Sequence, residues 1–295
     1  MNKELLFKGV GTALITPTNE NGVDYENLEK LIEFQIKEGV NAIIIAGTTG
    51  EGSTLNDKEH RELLKFSKDK INHRVPMIAG TGSNDTNYAC ELAKYASEVG
   101  ADGLLVVTPY YNKATQHGLK VMYTEIAKAS SKPIILYNVP TRTGVNIEPE
   151  TYLALSEVPN IVGIKEANSN LSKIMDIFHL VGDKLYVYSG NDDEIVPFLS
   201  MGGVGVISVL SNMLPKETVE MCDSFFEGDI EKSRMLQNKY LPLIRCLFSE
   251  VNPIPIKSAM AKLGYCKNYL RLPLTPMDAK KEEVMFNEMK KLGII

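Results

Sequence analysis

The chain has 295 residues, 44% hydrophobic and 23% charged, with a formal net charge of −5 and an isoelectric point near 5.6. This composition argues against a disordered or fibrous chain, and mild acidity without a basic stripe argues against nucleic acid, because phosphate neutralisation needs clustered Lys and Arg. No apolar run reaches the roughly 18 residues of a membrane span and the opening MNKELLFKGVGTALITP has no long apolar core, so no membrane contact and a cytoplasmic protein are expected.

In chain order, apolar strand-like runs occur at 10–15, 42–46, 75–79, 103–107, 133–137, 161–164, 185–188 and 204–207. Between the early runs, apolar residues recur at three- and four-residue spacings: Leu28, Leu31, Ile32 and Ile36, then Leu63, Leu64 and Ile71, then Ala89, Leu92, Ala93 and Ala96. Such faces belong to amphipathic helices lying on a sheet. Asn56 with Glu59 predicts a capping box, and Gly39 and Gly100 predict left-handed helix ends just before the next strand. Strand and helix in strict alternation mean right-handed crossovers and a parallel sheet. Eight strands predict an α/β fold closed as a (β/α)8 TIM barrel. The Rossmann alternative wants GxGxxG after its first strand, where this chain has Thr16 and Pro17. Beyond about residue 214 the strand signal stops, and helices interrupted by Pro242, Pro253, Pro255, Pro273 and Pro276 follow. We therefore expect a barrel over residues 1–225 that carries the active site and a C-terminal helical extension over 226–295.

In such a barrel the chemistry sits at the C-terminal ends of the strands. Those ends here carry Thr16, Thr48 and Thr49, Thr81, Thr108 with Tyr110 and Tyr111, Tyr137 and Asn138, Lys165 and Glu166, Ser189 and Gly190, and Ser208. The set is rich in hydroxyls and contains one lysine and no histidine. His60, His73, His117 and His179 fall in helices or loops and read as solvated or capping residues, so neither a metal site nor a Ser-His-Asp triad is expected. Cys90, Cys222, Cys246 and Cys266 form no CxxC pair and read as reduced thiols.

A lysine desolvated among apolar strands favours its neutral amine, a nucleophile toward carbonyl carbon, and this points to Schiff-base chemistry at Lys165. The alternative is a structural lysine paired with Glu166, although adjacent strand residues point to opposite faces. Tyr137, at the end of the neighbouring strand, is either a proton shuttle for an imine or a packed aromatic. The stretch AGTTGEGS, 46–53, offers close-set glycines, backbone N–H groups and two threonines suited to a carboxylate, or else is an ordinary strand-to-helix turn.

The segments GTTGEGSTL, PYYNKATQHGL, YNVPTRTG, GIKEA, SGNDD and GVISV, in this order and spacing, resemble the 4-hydroxy-tetrahydrodipicolinate synthase (dihydrodipicolinate synthase) family across nearly the whole chain. The resemblance implies that Lys165 forms a Schiff base with pyruvate, whose enamine attacks L-aspartate 4-semialdehyde in lysine and diaminopimelate biosynthesis, without a cofactor or metal. It also implies catalytic roles for Tyr137, Thr48 and Tyr111, the last reaching into a neighbouring subunit's site. Thr49 would help hold the pyruvate carboxylate, Gly190 and Ile207 would supply backbone carbonyls, and Arg142 would grip the aldehyde substrate's carboxylate. A homotetramer built from two dimers is expected on the same ground.

Sialic acid lyase and other 2-keto acid aldolases share the barrel and the lysine, and a non-catalytic barrel binding carboxylates is a third reading. Arg142 within NVPTRTG and Thr48 favour the synthase. Relatives inhibited by lysine use polar residues to which His60, Asn84 and Tyr110 correspond. Here Tyr88 replaces an acidic residue, and Gly52 and Asp57 replace a serine and a histidine, so weak or absent feedback inhibition is expected.

Overall fold

In the computed structural model, which describes residues 3–295, eight parallel strands close into a barrel. They are β1 (Gly9–Ala13), β2 (Ala42–Ile45), β3 (Met77–Gly80), β4 (Gly103–Val107), β5 (Ile134–Asn138), β6 (Ile161–Glu166), β7 (Tyr186–Ser189) and β8 (Gly205–Ser208). Each strand pairs with its successor, and β1 closes the ring by pairing with β8 and β2. The expected runs and these strands differ by one or two residues at some ends. Sequence periodicity did not indicate the antiparallel hairpin of Thr18–Asn19 and Gly22–Val23 that follows β1. Strands of two residues are too short to show alternation.

The cap signals are met by hydrogen bonds. Asn56 and Glu59 form a reciprocal capping box at the start of the helix Asp57–Ile71. Gly39 and Gly100 have φ of +87° and +83°, and the N–H groups of Gly39 and Val40, like those of Gly100 and Ala101, turn back to the last helical carbonyls. Glycine carries no Cβ penalty in this conformation.

Two layers of core follow from strand alternation. Ile43, Ile45, Leu104, Val106 and Ile164 face out against the helices, while Ala42, Ile44, Ile78, Leu105, Ile135 and Ile207 fill the barrel. Phe7 and Tyr188 stack inside it at 4.4 Å between ring centroids, with Tyr188 donating to the Phe7 carbonyl at 2.8 Å. A Cβ on Gly163 would fall 2.9 Å from the Tyr186 carbonyl and 3.4 Å from the Tyr188 ring, so β6 carries glycine there.

After the last barrel helix, Pro215–Phe226, come the helices Ile230–Leu247, Ile254–Lys262 and Ala279–Lys291. Leu236, Leu243, Ile256, Met285 and Met289 join the same apolar cluster as the barrel's outer layer. Among the described residues no helix is long and apolar enough to cross a membrane.

Candidate active site

Register places Lys165 directly beside Tyr137 across the β5/β6 pair. Tyr137 belongs to the barrel interior, and Lys165, only 5% exposed, holds its Nζ 4.3 Å from the centre of the Tyr137 ring. Among the described residues no carboxylate forms an ion pair with this ammonium group. Glu166 leaves through the opposite face of β6, where Asn138 and Tyr152 hold its carboxylate. The structural alternative for Lys165, a pairing with Glu166, is thereby removed.

Thr48, Tyr137 and Arg142 line one cavity of about 350 Å³ together with Gly47, Val139 and Thr143. The cavity continues past Ser53, His60, Gly82, Ser83, Tyr88 and Tyr110. Thr48 and Thr49 sit on a tightly folded turn in which Ala46 and Glu51 adopt left-handed φ of +59° and +53°. The turn is cross-braced by Glu51 N–H to the Thr48 carbonyl at 3.1 Å and Thr16 Oγ1 to the Gly50 carbonyl at 2.7 Å. A Cβ on Gly52 would lie 2.2 Å from the Ala46 carbonyl, so this position requires glycine in the turn as folded.

Thr49, next to Thr48 on this turn, is buried, its Oγ1 accepting from Asn252 Nδ2 at 2.9 Å. The carbonyl of the same Asn252 accepts from Arg142 Nη2 at 2.9 Å, which orients the guanidinium while leaving other N–H groups free for an anion. Arg142 itself stands on the short helical turn Pro140–Thr143. Asn252 was not singled out in the sequence, because its partners lie more than 100 residues away. No local pattern announces such a contact. Its Oδ1 is buried without a partner.

Gly190 and Ile207 lie at the ends of β7 and β8. The Gly190 N–H donates to the Glu166 carbonyl at 2.7 Å, and the Ile207 side chain is fully buried in the barrel interior beside the Tyr137 cluster. Tyr111 does not enter this chain's cavity. It is 93% exposed at a left-handed φ of +73°, on a loop tied to its neighbour by Asn84 Nδ2 to the Tyr110 carbonyl (3.2 Å) and Asn112 Nδ2 to the Asn84 carbonyl (2.9 Å). A bulky residue in that region is strained by about 1–2 kcal/mol.

One further polar group was missed and one was misread. Asp192 is fully buried, accepts from the N–H groups of Val209 and Leu210 at 2.9 and 3.0 Å, and leaves Oδ1 unpartnered; burial raises its pKa while Ser208, those N–H groups and Lys165 oppose the rise. His60, read as solvated or capping, is instead buried and donates Nε2–H to the Gly80 carbonyl at 2.9 Å. Burial lowers its pKa, which favours the neutral ring. Its charged neighbours Glu59 and Arg61 disguise a core-facing position. Among the described residues no group of three or more His, Cys, Asp or Glu side chains is placed to hold a metal ion, and all four cysteines are free.

A parallel barrel whose mouth presents a buried amine stacked on a phenol, beside threonine hydroxyls and an arginine, defines the imine-forming class of barrel lyases. Within that class the chain belongs to the dihydrodipicolinate synthetase family, whose model matches residues 6–292. It is 52% identical over 290 residues to the 4-hydroxy-tetrahydrodipicolinate synthase of Acetivibrio thermocellus, covering 98% of this chain and 99% of that one. The crystal structure of dihydrodipicolinate synthase from Thermotoga maritima superposes with a TM-score of 0.96 at 44% identity, over 99% of this chain and 100% of that one. The chloride-inhibited dihydrodipicolinate synthase of Acinetobacter baumannii, complexed with pyruvate, superposes with a TM-score of 0.95 at 43% identity, over 99% and 100% of the two chains.

Proposed function

We propose that Lys165 is the amine through which this chain condenses pyruvate with L-aspartate 4-semialdehyde to give 4-hydroxy-tetrahydrodipicolinate, a step of lysine and diaminopimelate biosynthesis. The observation that carries the assignment is the burial of Lys165 beside Tyr137 without a carboxylate partner.

The chemistry follows from the groups present. Neutral Nζ attacks C2 of pyruvate, and Tyr137 with Thr48 relays a proton to the carbinolamine hydroxyl, which leaves as water. Loss of a proton from C3 of the iminium gives an enamine, whose C3 attacks the aldehyde carbon as the aldehyde oxygen takes a proton. The substrate's own amine then attacks the imine carbon, closes the ring and releases Lys165. Thr48 and Thr49 with their turn are assigned the pyruvate carboxylate, and Gly190 and Ile207 backbone carbonyls near the reacting carbons. Arg142, oriented by Asn252, is assigned the second substrate's carboxylate.

Tyr111 is assigned to the relay of a second copy's site, in a homotetramer built from two dimers. Its strained backbone and exposed ring support a role outside its own subunit. The catalytic groups of the chain belong to residues 1–225, with 226–295 as support, and four free thiols fit work in the reducing cytoplasm.

Steady-state kinetics separate this reading from the sugar-acid aldolase. Arg142→Ala should raise the KM for aspartate semialdehyde about tenfold or more while leaving that for pyruvate within about twofold. Equal effects on both, or turnover of N-acetylneuraminate in place of the semialdehyde, would remove the assignment of the second substrate.

A further inference from the structure

Glu166 is a buried carboxyl that the condensation does not use. Its carboxylate accepts from Asn138 Nδ2 at 2.9 and 3.1 Å, from the Tyr152 hydroxyl at 2.9 Å and from the Asn168 backbone N–H at 2.9 Å. Asn138 is its register partner on β5, immediately after the Tyr137 and Lys165 pair. The second Nδ2 hydrogen of Asn138 goes to Asn146 Oδ1 at 2.9 Å, and its Oδ1 accepts from the Ile147 N–H at 3.2 Å. The excursion between Asn138 and Ile147, which carries Arg142, is therefore closed back on a single side chain. That side chain is held by Glu166.

We infer that Glu166 is a positioning residue: by gripping Asn138 it fixes the facing of Tyr137 on Lys165 and, through Asn146 and Ile147, the loop that presents Arg142. The inference rests on the roles proposed above for those three residues. In its ionised form a carboxylate is suited to this task because it is then an acceptor only, met by three converging donors. A glutamine of the same shape would turn an NH₂ toward at least one of them and leave a buried donor unpaired. A misplacement of about 1 Å in a near-attack geometry can cost about a hundredfold in rate.

The test compares full-length wild type, Glu166→Gln and Tyr152→Phe. Sites competent for the first step are counted by pyruvate and borohydride labelling of Lys165, and kcat per labelled site and both KM values are then measured. Wild type should label. Glu166→Gln should lose about tenfold to a hundredfold in kcat per labelled site and show a raised KM for the aldehyde, with Tyr152→Phe following in the same direction more weakly. A residue that only supports the fold would lower the melting temperature and the number of labelled sites while leaving kcat per site and both KM values unchanged, and that result overturns the inference. If Glu166→Gln does not fold, Tyr152→Phe decides by the same criterion. Failure of wild type to label would overturn the assignment of Lys165, and this inference with it. Labelling with unaltered variants overturns this inference alone.

Discussion

Alternation along β6 sends Lys165 into the barrel and Glu166 out to a dry niche between Asn138 and Tyr152. Burial pushes the Glu166 carboxyl from 4.5 to about 7, against the opposing hydrogen bonds from Tyr152, Asn138 and the Asn168 N–H. The folded chain therefore holds this proton more tightly than the unfolded chain does, so the stability it contributes is complete below about pH 4.5 and lost as pH rises through 7. Measured against Glu166→Gln, wild type should lose stability between about pH 5 and about pH 8. A difference between the two proteins that stays level over that range would contradict the shift. Two-residue alternation was enough to read the opposite facing of Lys165 and Glu166 from sequence. What Glu166 meets was not legible, because Tyr152 lies on a helix whose orientation no local pattern encodes.

Among elements, the barrel strands were legible because strands covered on both faces appear as continuous apolar runs bounded by turns. The reach of the C-terminal helices was not. They read as an appendix without a polar cluster, yet Lys257 on the helix Ile254–Lys262 forms an ion pair with Glu51 and donates to Thr18 Oγ1 at 2.7 Å, with neither end of the pair touching solvent. Arg271 adds a backbone N–H to Glu51 at 3.2 Å and a side-chain N–H to Glu59 at 2.7 Å. These contacts clamp the strained 46–53 turn from behind, and they join residues more than 200 positions apart. Burial lowers the Lys257 pKa despite Glu51. Removing one partner of such a pair leaves an uncompensated buried charge, so Lys257→Met should destabilise the protein by about 3–5 kcal/mol, and adding Glu51→Gln should recover part of that loss. Strict additivity in urea unfolding would show that the two groups are not coupled.

At the scale of the whole molecule, one cavity of a single chain is lined by Thr48, Tyr137 and Arg142, with Lys165 packed on Tyr137, while Tyr111 projects into solvent from a strained loop. If Tyr111 completes the relay of a second copy, activity should follow assembly. Sedimentation velocity should show an oligomer at assay concentration, and mixing Tyr111→Phe with Lys165→Ala should regenerate activity through hybrid sites, whereas a fully active monomer would exclude the shared relay. The fold class and the strand ends that carry these residues follow from periodicity, but a site assembled between copies leaves no periodic trace in one chain. The central claim is that Lys165 becomes covalently bonded to the 2-keto acid. Incubation with pyruvate and borohydride, followed by peptide mass spectrometry, should find the reduced adduct on Lys165 in wild type and Tyr137→Phe and none in Lys165→Ala; an unmodified Lys165 in active wild-type protein would contradict the imine mechanism outright.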